Sequence, residues 1–308
     1  MKIYQIKNLY KYYDGQSQPA NENINFDIYQ GEVFGLLGDN GAGKSTLIKQ
    51  LVNLEKSTSG DIFFQGNHLS QLNPMCIPTY VGYMPQRGAA FNNLTVSEAI
   101  YFTAYLRGFS RNDAKQERQR LLSLWQLEKF SSKPIARLSG GQMRLTQLAV
   151  TMAASPPVLI LDEPTNDLDP QRRKQVWNIL RESNESSGTT IIFITHDAIE
   201  AEKIIQRVGI MSKGKLITVG RPSLLKETLN QKVRLDISFN PDKSPTLPPH
   251  LQKHVINSGH WLVYLEKSEI DYVLYHLNMN RIEDFHLYST TLEDLYLHYT
   301  TASNETIA

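Results

Sequence analysis

The sequence predicts an α/β protein whose main sheet is mostly parallel and covered by helices on both faces. Three short apolar runs predict buried strands, at residues 33–37, 158–161 and 190–194. Helical patterns follow the first two of them, at residues 44–52 and 172–181. Apolar strands that alternate with helices are typical of parallel sheets, because both faces of such a sheet are buried.

Two smaller parts surround this predicted core. Apolar residues alternate with polar ones at residues 3–9 and 24–28, with a turn near residues 14–15, and this pattern predicts an antiparallel β subdomain. Residues 96–130 have a helical pattern, and we predict a helical subdomain over about residues 90–155.

The pattern changes again after Leu229, where short strands and helices follow a Pro-rich loop. The predicted strands lie at residues 233–239, 261–265 and 281–288, and the predicted helices at residues 270–277 and 291–299. We therefore predict a main domain over residues 1–229 and a small C-terminal α+β domain over residues 230–308.

Composition excludes several classes of protein. The chain has 308 residues, 41% apolar and 20% charged, as in ordinary globular proteins. Its formal net charge of +1 gives no reason to expect nucleic acid as a partner. Its single cysteine, Cys76, suits a reducing compartment. The most apolar long stretch, residues 145–161, contains Gln147 and a Pro-Pro pair, so we expect no membrane-spanning helix.

A glycine-rich motif follows the first buried strand. Residues 38–45 (GDNGAGKS) fit the pattern Gly, four residues, Gly-Lys-Ser, between a strand and a helix. Glycines let backbone N–H groups turn toward phosphate, and the helix N-terminus adds positive charge. We expect Lys44 to reach the β- and γ-phosphates of a nucleotide and the Ser45 hydroxyl to bind Mg²⁺.

The second buried strand ends in two carboxylates, Asp162 and Glu163. Ligands bind at the carboxyl ends of strands in open α/β sheets, so both side chains are expected near the glycine-rich loop. Adjacent strand residues point in opposite directions, which predicts different roles. We expect Asp162 to lie by Mg²⁺ and Glu163 to face the attacking water.

Several further motifs resemble those of the ATP-binding cassette (ABC) superfamily. Residues 138–142 (LSGGQ) resemble its signature sequence, and they stand before the Asp-Glu strand, as in that family. Gln86 resembles the glutamine of its Q-loop, residues 166–170 (NDLDP) its D-loop, and His196 its switch histidine. Tyr13 matches the aromatic residue that stacks on adenine, with the adjacent Tyr12 as the alternative. The resemblance covers about residues 1–229.

The resemblance implies an active ATPase that uses ATP and Mg²⁺. The implied catalytic residues are Glu163, His196, Lys44 and Gln86, and the implied metal ligands are Ser45, Gln86 and Asp162. The implied nucleotide contacts are Tyr13, Gly38, Asn40, Gly41, Gly43, Lys44, Ser45, Thr46, Ser139, Gly140, Gly141 and Gln142. In this family the signature residues bind the γ-phosphate held by the other protomer, so two ATP molecules lie between two head-to-tail copies.

The resemblance also implies a location and partners. Family members of this type act in the cytoplasm at the inner face of the cell membrane, bound to separate permease subunits. Residues 290–298 (TTLEDLYLH) are similar to the tail of bacterial drug- and polymer-exporter ATPases, which carry a small C-terminal α+β domain. This similarity implies export by two copies of the chain beneath two permease subunits. An ordinary amphipathic helix is the alternative interpretation of the tail.

Two other interpretations stay open at this point. A cassette protein can act on ribosomes or DNA, or can use ATP only to dimerise, although one cassette, no heptad run and the intact Glu163 favour a transport ATPase. His250, His254 and His260 could also form a metal site, although the sequence shows no carboxylate or cysteine that completes the set.

Overall fold

The computed structural model describes residues 1–86, 91–195, 202, 204–227, 232–251, 253–288, 292, 294 and 295. The strands are β1 (Lys2–Lys11), β2 (Asn21–Tyr29), β3 (Val33–Gly38), β4 (Ser59–Phe64), β5 (Asn67–His68), β6 (Val81–Met84), β7 (Val158–Asp162), β8 (Thr190–Ile194), β9 (Arg207–Ser212), β10 (Lys215–Gly220), β11 (Lys232–Ser238), β12 (Lys253–Asn257), β13 (His260–Glu266) and β14 (Asp284–Tyr288).

The helices pack around or between these strands. They are α1 (Lys44–Leu51), α2 (Cys76–Tyr80), α3 (Val96–Leu106), α4 (Arg111–Leu124), α5 (Gly140–Met152), α6 (Pro170–Ser187), α7 (Pro222–Glu227) and α8 (Ile270–His276). Among the described residues, no helix is both long and apolar enough to cross a membrane.

The central sheet confirms the predicted fold class. Its strand order is β10-β9-β3-β8-β7-β6, and the pairs β9-β3, β3-β8, β8-β7 and β7-β6 are parallel. Every residue of β3, β7 and β8 is buried, which means that both faces of the sheet are covered. The parallel arrangement brings the carboxyl ends of β3, β7 and β8 to one edge.

The antiparallel subdomain is also confirmed. Its strand order is β2-β1-β4-β5, and each pair is antiparallel. Ile6 and Leu9 on β1 and Ile24 on β2 are buried in the same apolar core as Phe34 and Ile160 of the central sheet. The two sheets therefore share one core, which fixes the start of β2 beside the central sheet.

Helices α3, α4 and α5 form the predicted helical subdomain. Side chains cap all three, because the first N–H groups of a helix have no partner within the helix. Thr95 and Glu98 form a capping box on α3, Ser110 caps α4, and Ser139 and Gln142 form a capping box on α5. The cap on α5 places the signature sequence at a helix N-terminus.

The chain divides into two compact units, residues 1–219 and 220–308. Helix α7 therefore belongs to the second unit, whereas the sequence placed the boundary after Leu229. Within the second unit, Leu225 of α7 packs against Gly220. The unit contains an antiparallel sheet, β12-β13-β11-β14, and a core that includes Trp261, Val263 and Val273.

Two predicted elements of the second unit differ in detail or are only partly described. Strand β14 begins at Asp284 rather than at residue 281, because the Asn278 carbonyl accepts a hydrogen bond from Arg281 N and closes a turn there. Of the predicted helix at residues 291–299, the structure describes residues 292, 294 and 295, which are helical. Leu292 and Leu295 are buried, as an amphipathic helix requires.

Removal of side-chain volume at the centre of β7 tests this description of the core. Ile160 is fully buried and lies opposite Ile192 of β8, so Ile160→Ala should lower the free energy of unfolding by about 2–5 kcal/mol. Leu54→Ala is the control, because Leu54 is 67% exposed. Urea unfolding followed by circular dichroism measures both variants. Equal midpoints for the two variants would contradict the assignment of Ile160 to the core.

Candidate nucleotide-binding and hydrolysis site

The loop between β3 and α1 needs glycine for two reasons. Gly41 and Gly43 have φ angles of 84° and 97°, in the left-handed region that favours glycine. A Cβ atom on Gly43 would lie 2.2 Å from the carbonyl oxygen of Ala20 and 2.7 Å from Nδ2 of Asn21. The residues at the start of β2 therefore lie in direct contact with the loop, and only glycine fits at position 43.

Helix α1 begins at Lys44 without a side-chain cap and without an acidic residue in its first turn. The first N–H groups of a helix have no partner within the helix, and the helix dipole makes this end positive. This N-terminus is therefore suited to bind an anion such as phosphate.

Lys44 is anchored by the loop that it follows. Its Nζ atom donates hydrogen bonds to the carbonyl oxygens of Gly38, at 2.6 Å, and Asp39, at 2.9 Å. Burial lowers the pKa of Lys44, and the nearby carboxylates of Glu163 and Asp162 oppose this change. The ammonium group is thus desolvated at the loop, where its attraction to phosphate is stronger than in water.

Ser45 and Asp162 bring two hard oxygen ligands together. The Ser45 hydroxyl donates to Oδ2 of Asp162 over 3.2 Å. Asp162, at the end of β7, is buried, and this burial raises its pKa, whereas the hydrogen bond from Ser45 lowers it. Mg²⁺ prefers oxygen ligands and usually takes only one or two from protein carboxylates, the rest coming from phosphates and water. The Ser45–Asp162 pair fits such a site.

Glu163 has an unusual backbone conformation for a residue other than glycine. Its φ angle is 53°, and its backbone N–H donates to the carbonyl of Ile194 at the end of β8 over 2.9 Å. Such strained conformations persist when neighbouring structure holds them, and they are frequent at functional sites. The side chain is only 6% exposed, so its carboxylate lies at a largely dehydrated position.

These residues line one cavity of about 430 Å³, a size typical of small-ligand sites. Its lining residues are Ala20, Asn40, Gly41, Ala42, Gly43, Lys44, Ser45, Thr46, Gln86, Asp162, Glu163 and Ile194. The structure therefore brings together the loop after β3, Gln86 after β6 and the carboxylates at the end of β7. His196 lies outside the described residues.

Tyr12 and Tyr13, the two candidates for stacking on adenine, lie at different distances from the loop between β3 and α1. The hydroxyl of Tyr13 lies 3.4 Å from Oγ1 of Thr46 in the first turn of α1, and Nζ of Lys11 lies 5.0 Å from the centre of the Tyr13 ring. Tyr12 is more exposed, and its backbone N–H donates to Oγ1 of Thr58, the residue before β4. The Tyr13 ring is therefore the one beside the loop.

The signature residues lie apart from this cavity. Ser139 Oγ accepts a hydrogen bond from Gln142 N over 3.4 Å, and Gln142 Oε1 accepts one from Ser139 N over 3.2 Å. Ser139 and Gly140 are exposed, and neither they nor Gly141 and Gln142 line the cavity. A nucleotide in this chain's own cavity would therefore leave the signature residues open to another molecule.

Sequence reasoning missed a buried polar pair that supports the loop. Nδ2 of Asn21 donates to the Gly43 carbonyl over 3.0 Å, and Nε2 of Gln50 donates to Oδ1 of Asn21 over 2.7 Å and to the Thr46 carbonyl over 3.1 Å. The sequence contains one sign of this pair. Gln50 is a polar residue next to the apolar face of α1 that Leu47 and neighbouring residues form. Asn21 has no local signal, because its partners are distant in sequence.

The C-terminal histidines do not come together as a metal site. His250 pairs with Glu269 over 3.1 Å, His254 contacts the ring of Tyr264, and His260 hydrogen bonds with Asp236. Over the described part of the chain, no group of three or more His, Cys, Asp or Glu side chains could hold a metal ion. The structure therefore gives no support to the histidine metal site.

The loop, its lysine and the Asp-Glu strand end define a P-loop ATPase. A family model described as "ABC transporter" matches residues 21–166. A probable sulfate/thiosulfate import ATP-binding protein of Chlorella vulgaris is 38% identical over 208 residues, which are 68% of this chain and 87% of that protein. The chain belongs to the ABC transporter family, and its cassette is of the ATP-hydrolysing type.

Two further proteins are similar to this chain, one in sequence and one in structure. The human phospholipid-transporting ATPase ABCA3 is 32% identical over 284 residues, which are 90% of this chain but only 16% of the ABCA3 length. The dimeric structure of the cassette MJ0796, in a post-hydrolysis state bound to ADP and phosphate, matches with a TM-score of 0.66 and 24% identity. It covers 71% of this chain and 98% of that one, and it confirms the cassette fold.

A single methyl group on Gly43 tests the geometry of the loop. Gly43→Ala should weaken ATP binding at least tenfold, because the added Cβ would collide with the Ala20 carbonyl and strain a left-handed backbone. Gly66→Ala is the matched control, because Gly66 also has a positive φ angle, 81°, but its Cβ would meet no atom within 4 Å. Isothermal titration calorimetry measures ATP affinity. Unchanged affinity in Gly43→Ala would show that the loop does not hold the nucleotide.

Proposed function

We propose that this chain hydrolyses Mg-ATP in the cavity between the β3–α1 loop and the end of β7, and that it powers a transporter. The observation that carries the proposal is the shared cavity of Lys44, Ser45, Gln86, Asp162 and Glu163. A cation, a hydroxyl, an amide and two carboxylates face one space beside a helix N-terminus. This set matches the requirements of phosphoryl transfer from ATP to water.

Each residue has a physical role in this proposal. The α1 N-terminus and Lys44 hold the β- and γ-phosphates, and Tyr13 stacks on the adenine ring next to Thr46. Ser45, Asp162 and Gln86 would hold Mg²⁺, which would neutralise phosphate charge. Glu163 orients the attacking water and accepts its proton, and His196 contacts the γ-phosphate. Positioning and charge neutralisation supply most of the rate gain.

A second copy of the chain completes each site in the proposal. Ser139, Gly140, Gly141 and Gln142 lie at the α5 N-terminus, away from the chain's own cavity and partly exposed. Their N–H and hydroxyl groups can bind the γ-phosphate held by a partner copy, and the partner does the same in return. The MJ0796 cassette, which has the same fold, is described as dimeric with bound ADP and phosphate.

The membrane partner is proposed to be a separate permease, with the cassette at the inner face of the membrane. The match with phospholipid-transporting ABCA3 covers 90% of this chain, whereas the match with the sulfate/thiosulfate import protein covers 68%. The second unit thus adds similarity to the phospholipid transporter that the importer match lacks. The exporter-like tail at residues 290–298 supports export as the direction of transport.

Replacement of Lys44 tests where ATP is bound. Lys44→Ala should weaken ATP binding by about 100-fold and abolish hydrolysis, since it removes a desolvated cation from the phosphate position. Lys49→Ala, an exposed lysine on the same helix, is the matched control. Phosphate release and nucleotide titration measure the two effects. Wild-type ATPase activity in Lys44→Ala would show that hydrolysis occurs elsewhere.

Replacement of Glu163 tests the hydrolysis step and the dimer together. Glu163→Gln should still bind ATP but lower kcat by about 10²–10⁴-fold, because the amide cannot accept a proton from water. The unhydrolysed ATP should then hold a stable dimer, visible by size-exclusion chromatography with light scattering. Glu128→Gln, an exposed site on the helical subdomain, is the control. A Glu163→Gln protein that stays monomeric with saturating Mg-ATP would contradict the paired-site proposal.

A further inference from the structure

One buried arginine joins the signature helix to two of the loops that border the cavity, the one after β6 and the one after β7. Arg144 lies in the second turn of α5 and is only 6% exposed. Its Nε atom donates to the carbonyl oxygen of Asn166, and its Nη1 atom donates to the carbonyl oxygen of Gln86 and to Oε1 of Gln147, each over 3.4 Å. One side chain thus contacts α5, the loop after β6 and the loop after β7.

The contact with Asn166 leads directly to Glu163. The backbone N–H of Asn166 donates to the Glu163 carbonyl over 3.3 Å, which closes the turn that follows this residue. Arg144 therefore binds the carbonyl of Asn166, the same residue whose N–H bonds the carbonyl of Glu163, and Glu163 has a left-handed backbone. The contact with Gln86 fixes the backbone of a second residue that lines the cavity.

Burial of the charged guanidinium group of Arg144 costs free energy unless the group forms interactions that compensate for the lost hydration. Burial lowers the pKa of Arg144, and the carboxylates of Asp167, Glu163 and Asp162 oppose this change. An apolar residue of similar length would avoid the cost of desolvation. The guanidinium group, however, presents several donors in a rigid plane, so it can bind carbonyls on two separate loops at once.

We infer that Arg144 is a positioning residue for hydrolysis, which fixes Gln86 and the turn after Glu163 relative to the helix that carries Ser139. The inference rests on the proposed function of the cavity. Arg144 does not contact the loop between β3 and α1, whose amides and Lys44 hold the phosphates. Loss of Arg144 should therefore reduce the rate of the chemical step and leave ATP binding almost unchanged.

A partly buried arginine, Arg107, provides a control for a purely structural effect. Arg107 donates to the carbonyl oxygens of Pro78, Thr151 and Ala153, within the same unit of the chain. Burial lowers the pKa of Arg107 to about 10. None of its three acceptors lines the cavity, so Arg107→Gln removes comparable hydrogen bonds without changing Gln86 or Glu163.

The experiment compares Arg144→Gln, Arg144→Lys and Arg107→Gln in the full chain, with Lys44→Ala as a reference for the site. Steady-state phosphate release gives kcat and KM for ATP, and thermal unfolding gives Tm. We expect Arg144→Gln to lower kcat at least tenfold with KM within threefold of wild type. Arg144→Lys should recover part of kcat, because an ammonium can replace one contact but not the planar pair. Arg107→Gln should lower Tm but keep kcat within twofold.

The possible outcomes separate the two claims. If Lys44→Ala abolishes hydrolysis and both Arg144 variants keep kcat within threefold, the inference about Arg144 is wrong and the proposed site stands. The inference is also wrong if Arg107→Gln, with a similar loss of Tm, lowers kcat as much as the Arg144 variants do. If Lys44→Ala keeps wild-type hydrolysis, the proposed site itself fails. Should Arg144→Gln not fold, Arg144→Lys, which keeps the charge, decides by the same split between kcat and KM.

Discussion

The close approach of two backbone segments at Gly43 is the constraint on which the site depends. The carbonyl of Ala20, directly before β2, occupies the space that any larger residue at position 43 would need. Asn21 binds the Gly43 carbonyl, and Gln50 binds Asn21, so buried hydrogen bonds from β2 and α1 fix the loop. The loop is thereby held in place at the N-terminus of α1, where a phosphate group can bind.

The central sheet supplies the second half of the site. Strands β3, β7 and β8 are parallel and fully buried, so their carboxyl ends meet at one edge with little freedom to move. That edge carries Lys44 after β3 and Asp162 and Glu163 at the end of β7. Burial lowers the pKa of Lys44 and raises the pKa of Asp162, which favours the neutral form of each group. The attraction between the two charges opposes both shifts. A site of this kind binds charged ligands strongly because its own charges are only partly solvated.

The sequence was sufficient to predict the elements whose signals are local. The apolar runs predicted β3, β7 and β8, and the Gly-Lys-Ser motif predicted the loop before α1. The supporting contacts could not be predicted this way. Asn21 is 22 residues from its partner Gly43, and Arg144 is 58 residues from Gln86, so only the fold brings these groups together. The boundary between the two units also depends on packing, because the resemblance over residues 1–229 placed α7 with the main domain, whereas α7 lies in the second unit.

In the proposed dimer, Ser139 of one copy completes the binding site of the ATP that Lys44 of the other copy holds. The most direct test is a crystal structure of the Glu163→Gln variant with Mg-ATP. We expect two copies related by a twofold axis, with Ser139 Oγ of each copy within hydrogen-bond distance, about 3 Å, of the γ-phosphate bound by the other. A structure in which each γ-phosphate contacts residues of a single copy, with Ser139 facing solvent, would show that the two copies do not share their sites.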